Sequence, residues 1–203
     1  MIRVGKRLEL KEIFWELERG CTKWSGYFDV YEKHLSKFVG KSPRILEIGV
    51  LGGGSIEMWL KYFGEGTQVV GVDINEECLD YTFDGDAHVV MGDQGNPEFW
   101  DLYFSDKKGF DIVIDDGSHV MQHQITTLNK VFPRLNVGGV YICEDTHTSY
   151  WPQPWGGTFR GAGTFLEHSK RVTDILNQQH FQGQPMMPEV LSNYQCLHSV
   201  AFY

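Results

Sequence analysis

The sequence predicts an α/β fold class: a doubly wound, mostly parallel sheet. Short apolar runs alternate with stretches of helical spacing along most of the chain. The runs are four or five residues long and bounded by Gly and polar residues, as in strands covered on both faces. Two of them end in adjacent acids: Asp115-Asp116 after Ile112-Val113-Ile114, and Glu144-Asp145 after Val140-Tyr141-Ile142-Cys143. Helical spacing from Met121 to Leu135 joins these two into a strand–helix–strand unit. Parallel neighbours joined by a crossover put both strand C-termini on one edge, where such sheets bind ligands.

Taken in order, residues 1–40 read as an N-terminal helical segment and 41–203 as the main domain. Arg7 to Arg19 is amphipathic, with Leu10, Ile13, Phe14 and Leu17 on one stripe, and stops at Gly20. Thr22 to Gly26 reads as a loop; Lys23 and Tyr27 lie in a loop that either stays on the surface, the preferred reading, or folds over a bound ligand. Asp29 to Phe38 reads as a second helix. The first strand is Arg44 to Ile48, followed by the turn Gly49 to Ser55 and a helix from Ile56 to Phe63. Gln68 to Val72 is the second strand, ending at Asp73. Asn75 to Tyr81 is a short helix, and Ala87 to Met91 a third strand before Gly92-Asp93. Pro97 to Phe104 reads as helical. After Asp145, residues 147–163 form an aromatic-, Gly- and Pro-rich loop over the strand edge, suited to shape a substrate pocket. Thr164 to Gln179 reads as a helix, with Phe165, Val172, Ile175 and Leu176 inward. Phe181 to Asn193 reads as irregular and Cys196 to Tyr203 as a last strand.

The chain has 203 residues and a net charge of −9, which disfavours nucleic-acid and anionic-membrane partners. Cys21, Cys78, Cys143 and Cys196 are widely spaced, so they read as reduced thiols. The first twenty residues have no uninterrupted apolar region like that of a signal peptide, and no run approaches the ~20 apolar residues of a membrane span. A cytoplasmic protein is expected, with a small-molecule substrate and room for a homo-oligomer.

The glycine-rich turn marks a nucleotide-type site: missing side chains admit a ligand to the backbone, and a helix N-terminus follows. Glu47-Ile48-Gly49-Val50-Leu51-Gly52-Gly53-Gly54-Ser55 lacks the G-x-G-x-x-G spacing of dinucleotide sites. Glu47 would also repel a pyrophosphate. A cofactor carrying an ammonium and one carboxylate fits better. This E-x-G-x-x-G-G-G-S turn, Asp73 ending the second strand and Asp93-Gln94 after the third resemble the class I S-adenosylmethionine-dependent methyltransferases, whose fold is Rossmann-like. The resemblance implies cofactor-binding roles for Glu47, Gly49, Gly53, Ser55, Asp73, Asp93, Gln94 and Asp115. Asp73 would accept from the two ribose hydroxyls, and Asp93-Gln94 would lie near the adenine.

The DDGSH and EDTHTSYW segments are similar, within that class, to metal-dependent sugar O-methyltransferases of macrolide antibiotic biosynthesis. Cephalosporin-hydroxylase-like proteins are related. The resemblance spans Cys21 to Tyr203 and implies Asp116, Glu144 and Asp145 as magnesium ligands and His119 as the catalytic base. Carboxylates suit Mg²⁺ or Mn²⁺ better than zinc, and two vicinal sugar hydroxyls would suit such an ion. A histidine exchanges protons near neutrality. His123 is the next base candidate, and His147 and Tyr150 are candidates for the substrate pocket. The family's sheet closes with a two-strand hairpin; Leu197 to Tyr203 would supply one strand and the final one would be missing. Competing readings are a dinucleotide-dependent or hydroxylase-like enzyme, and a non-catalytic cofactor binder.

Overall fold

The computed structural model describes residues 9–105, 109–180, 182–183, 193–194 and 196–203. Among these, five parallel strands form one sheet in the order β3-β2-β1-β4-β5. They are β1 (Arg44–Ile48), β2 (Gln68–Asp73), β3 (Asp86–Met91), β4 (Phe110–Asp115) and β5 (Leu135–Cys143). The chain builds outward from β1 to β3, then returns to the other side of β1 with β4. That reversal opens a crevice at the C-terminal ends of β1 and β4.

The helices are α1 (Leu10–Trp15), α2 (Tyr27–Leu35), α3 (Gly54–Phe63), α4 (Pro97–Tyr103), α5 (Met121–Val131) and α6 (Phe165–Val172). Side chains alternate across the strands into two cores. Ile45, Val69, Ile112 and Ile114 pack with Tyr31 and Trp59 from α2 and α3. Leu46, Ile48, Val70, Val72 and Val113 pack with Trp100 from α4 and Val131 from α5. Because both faces are covered, these strands carry apolar residues at consecutive positions, and that pattern made them visible in the sequence. Trp59 and Trp100 are each fully buried. Local chemistry agrees with the packing: Asn96 caps α4 by accepting from Glu98 N, with Pro97 in the first turn.

Several boundaries differ from expectation. The first helix stops at Trp15, because the Glu18 and Arg19 amides turn to the Glu57 carboxylate at 3.5 and 3.4 Å. The chain then runs as an irregular strap to Gly26, and α2 begins at Tyr27. The crossover helix ends at Val131 because Pro133 cannot continue it; a 3₁₀ turn, Phe132–Arg134, follows. The fifth strand begins earlier than expected, at Leu135, with a register shift where it pairs β4. The helix expected through Gln179 becomes 3₁₀ at Thr173–His180.

The expected last strand is a correction. Residues 196–203 join no ladder among the described residues. Their apolar alternation serves packing: Leu197 and Val200 rest on a cluster containing Met121, Phe165 and Tyr194. The Tyr203 hydroxyl meets His34 Nε2 at 2.7 Å, with Lys33 over its ring at 4.8 Å. Most of the segment 181–193, expected to be irregular, lies outside the described residues.

Candidate active site

Register explains how acids distant in sequence meet. Ile48 pairs with Asp115, and Asp115 with Cys143, so the residues that follow these strand ends are neighbours. Asp116 N donates to Ile48 O and Glu144 N to Asp115 O, each at 2.9 Å. The ladder thus extends one step past each strand and sets Asp116 beside Glu144 in the crevice.

An unforeseen cation lies between them. Lys23, from the strap, donates to Asp116 Oδ2 at 2.5 Å and to the two Glu144 oxygens at 2.9 and 3.0 Å. Its side chain is 1% exposed, so the surface-loop reading of Lys23 is corrected. Burial disfavours its charge, but Glu144 and Asp116 outweigh that and hold its pKa well above the usual lysine range. Glu144 also accepts from the Tyr31 hydroxyl. Burial pushes the Glu144 carboxyl up, and Lys23 and Tyr31 pull it back. Tyr27, also expected on a surface loop, begins α2, and its hydroxyl donates to Asp145 Oδ1 at 2.6 Å.

The remaining acid oxygens face a histidine. His119 Nε2 is 3.8 Å from Asp116 Oδ1 and 3.7 Å from Asp145 Oδ2, too long for hydrogen bonds. One ligand atom from each of Asp116, His119 and Asp145 lies within 4.8 Å of the others. Three donors facing across such a gap suit a cation, or a hydroxyl, between them. His119 Nδ1 is buried without a hydrogen-bond partner. His119 and Asp145 both hold positive φ, 55° and 50°, a strained backbone for residues with side chains. Of the metal ligands named from the sequence, Asp116 and Asp145 meet at this gap, while Glu144 is taken up by Lys23 and Tyr31. His123 is turned aside: its Nδ1 meets Ser118 Oγ at 3.0 Å.

On the β1 side, Glu47 is fully buried, and neither carboxylate oxygen has a hydrogen-bond partner. Burial raises its pKa to about 7; the Lys23 charge, and polar contacts from the Ser55 hydroxyl and the Trp59 indole N–H that fall short of well-formed hydrogen bonds, pull it back. A buried carboxylate without a bonded partner is costly, and a cationic ligand group would satisfy it. Asp73 already gathers the glycine turn: Oδ2 accepts from Val50 N and Leu51 N at 2.7 and 3.2 Å. Gly53 sits at φ 80° as the N-cap of α3, and Ser55 is buried in the first turn of that helix. Gly49 is also required by packing, since a Cβ there would fall 2.1 Å from the Asp116 carbonyl oxygen.

Asp93 and Gln94, which follow β3, part company. Asp93 is exposed and accepts from Gly95 N at 2.8 Å. Gln94 is buried, donating to Asp115 Oδ1 at 2.9 Å and Thr127 Oγ1 at 3.0 Å. Asp115 is fully buried, with Tyr141 OH at 2.8 Å on its other oxygen, and burial raises its pKa to about 6. It points into the fold rather than toward the gap.

Over the edge lies an aromatic row. Rings of Trp24 and His147 stand 6.2 Å apart, His147 and Trp151 4.8 Å, and Trp151 and Trp155 5.0 Å. Tyr150 lies beside Phe159 at 6.3 Å, and both are exposed.

No family model matches the chain. An 8-demethyl-8-alpha-L-rhamnosyl tetracenomycin-C 2'-O-methyltransferase of Streptomyces olivaceus is 38% identical over 186 residues, 85% of this chain and 48% of the relative. Mycinamicin VI 2''-O-methyltransferase of Micromonospora griseorubida is 33% identical, over 87% of this chain and 45% of the relative. A crystal structure of MycE methyltransferase, in complex with Mg, SAH and mycinamycin VI, superposes with a TM-score of 0.76. It is 31% identical, over 91% of this chain and 50% of that one.

This chain is a homologue of natural-product sugar O-methyltransferases. It spans about half the length of the curated relatives it matches. An O-methyltransferase of Bacillus cereus in complex with SAH is only 17% identical, at TM-score 0.55 over 84% of this chain and 82% of that one, and shares the fold alone.

In this sugar O-methyltransferase homologue, sequence reasoning missed Lys23 and Tyr31. Lys23 sits 93 residues from Asp116 and 121 from Glu144. The available signal was a lysine close to three aromatic residues, Trp24, Tyr27 and Tyr31, opposite a surplus of crevice acids.

Proposed function

We propose that the chain is the catalytic part of an S-adenosylmethionine- and Mg²⁺-dependent O-methyltransferase. Its acceptor would be a hydroxyl of a sugar-bearing small molecule with vicinal hydroxyls. The observation that carries this reading is the gap bounded by Asp116, Asp145 and His119, one strand away from the unpartnered Glu47. Residues 41–203 would form the methyltransferase domain, with residues 1–40 contributing Lys23 and Tyr27 to its crevice. The names of the relatives and the Mg and SAH bound by MycE support the same assignment.

The residues present fit both groups. Carboxylate oxygens of Asp116 and Asp145, converging within 4.8 Å, are hard donors suited to Mg²⁺ or Mn²⁺. Glu144 could join them only by giving up Lys23. A divalent ion held there would supply Lewis acidity toward an acceptor hydroxyl. Glu47 suits the ammonium of the methionyl moiety, and the α3 N-terminus at Gly53 suits its carboxylate. Asp73 suits the ribose, at the cost of its bonds to the turn amides.

The chain's own residues then do the positioning. His119 Nε2 faces both aspartates and is placed to take the proton of a hydroxyl lying in the gap. Asp145, held by Tyr27, and Asp116 beside it fix that hydroxyl's surroundings. Trp24, His147, Tyr150 and Trp151 offer a partly exposed aromatic platform for the flat face of a glycoside.

The test is methyl transfer from labelled S-adenosylmethionine to 8-demethyl-8-alpha-L-rhamnosyl tetracenomycin-C or mycinamicin VI. One methyl group should appear on a sugar hydroxyl, transfer should stop in EDTA, and Mg²⁺ should restore it. Transfer at the same rate in chelator would remove the metal from the mechanism.

A further inference from the structure

The strap between Glu18 and Gly26 crosses from the glycine turn to the aromatic row. Its Arg19 and Gly20 carbonyl oxygens lie so close to the turn that a Cβ on Gly54 would fall 2.8 and 2.6 Å from them. The Arg19 guanidinium donates to Thr82 O at 2.8 Å and lies 5.2 Å from the Tyr81 and Phe83 ring centroids. Three residues past Gly20, Lys23 enters the acidic cluster.

We propose that Lys23 is the resident counter-cation of Asp116 and Glu144, and that it and a divalent ion are mutually exclusive partners of Glu144. Ion loading, which in this proposal takes Glu144 along with Asp116 and Asp145, would therefore withdraw Lys23 and loosen the strap. The proposal rests on the metal reading given above. Its basis is occupancy. Both Glu144 oxygens lie within 3.0 Å of the Lys23 ammonium, and Oε1 also accepts from Tyr31. Asp116 gives Oδ2 to the same ammonium and leaves Oδ1 facing His119. A divalent ion on Glu144 would thus stand a hydrogen-bond length or so from a buried ammonium, where like charges repel strongly. Lys23 can leave: it sits on irregular backbone between α1 and α2 and carries a flexible four-carbon stem. The strap's other holds, Arg19 at one end and Tyr27 at the other, do not depend on Glu144.

The experiment is a Mn²⁺ titration followed by electron paramagnetic resonance, on the full chain and on Lys23→Met. Hydrogen exchange is read across residues 18–27 in both. Lys23→Met should bind Mn²⁺ about tenfold tighter or more, the least effect expected from removing one charge at this distance. In the unaltered chain, saturating Mn²⁺ should speed exchange across the strap. In Lys23→Met the strap should exchange fast with or without the ion.

Equal or weaker Mn²⁺ binding by Lys23→Met, or a strap whose exchange ignores Mn²⁺ in the unaltered chain, overturns the proposal. The second arm decides even if Lys23→Met does not fold. Asp116→Asn separates the two levels: Mn²⁺ binding that this variant abolishes upholds the metal reading whatever becomes of Lys23. Absence of Mn²⁺ binding in both the unaltered chain and Lys23→Met overturns both.

Discussion

Two buried glutamates stand near the same strand edge in opposite circumstances. Glu47, in β1, is fully buried and has no hydrogen-bond partner on either oxygen. Glu144, after β5, is almost as buried, yet both oxygens meet Lys23 and one meets Tyr31. Burial pushes both carboxyls up. The difference teaches how to read a ligand site. The chain supplies its own cation on the β5 side; on the β1 side we propose that a ligand supplies the bonded partner. The acceptor chemistry is accordingly assigned to the side of Asp116 and Asp145, and the cofactor's ammonium to the side of Glu47.

The comparison breaks first at His119. His119→Ala should lower turnover about 10²- to 10⁴-fold, the usual worth of a general base. Its SAH affinity, read by calorimetry, should stay near that of the unaltered chain, because His119 belongs to the acceptor side. A near-normal rate would reassign the base.

Glu144→Gln comes next. It strips a buried ammonium of one of its two counter-charges, and should cost about 2–4 kcal/mol in denaturant unfolding. An unchanged midpoint would mean that Lys23 is content with Asp116 alone.

Glu47→Gln should have the opposite sign. With a folded pKa near 7 against an ordinary 4.5, the native state keeps a proton there that the unfolded chain has lost. The Glu47 contribution to stability is therefore fully present below about pH 4.5 and lost as pH rises through about 7. Glu47→Gln should stabilise the ligand-free protein at pH 8 by on the order of 2 kcal/mol and change little at pH 4.5. The same variant should bind SAH more weakly. Destabilisation at pH 8 would show that Glu47 has a partner after all.

Tyr27→Phe is the smallest effect. It removes the hydroxyl that meets Asp145, and should cost about 1 kcal/mol in stability. Turnover should fall more than SAH affinity.

Much of the fold was legible because two covered faces leave a local trace. Ile45-Leu46 and Ile112-Val113-Ile114 are apolar at consecutive positions since alternate side chains enter different cores. The convergence of Asp116, Glu144 and Asp145 followed from one crossover helix and the direction of parallel strands. Lys23 was hidden because nothing around it in sequence tells a solvated lysine from a buried one; its partners come from the far end of the sheet. The tail from Cys196 misled for a different reason. Leu197 and Val200 are apolar because they pack on the cluster that contains Phe165 and Met121, and side-chain packing of that kind imitates a strand without the ladder. Gly49 carries a constraint the spacing did not show: it stands against the Asp116 backbone, a contact that glycine spacing alone cannot tell from a ligand's approach.

The central claim is that Asp116 and Asp145 hold one divalent ion beside the cofactor. Anomalous diffraction from crystals grown with Mn²⁺ and SAH tests it most directly. The account predicts a single Mn²⁺ peak bonded to both aspartates, next to His119, with the methionyl ammonium of SAH turned toward Glu47. A well-ordered SAH with Mn²⁺ bound elsewhere, or Asp116 and Asp145 too far apart to share it, would contradict the account.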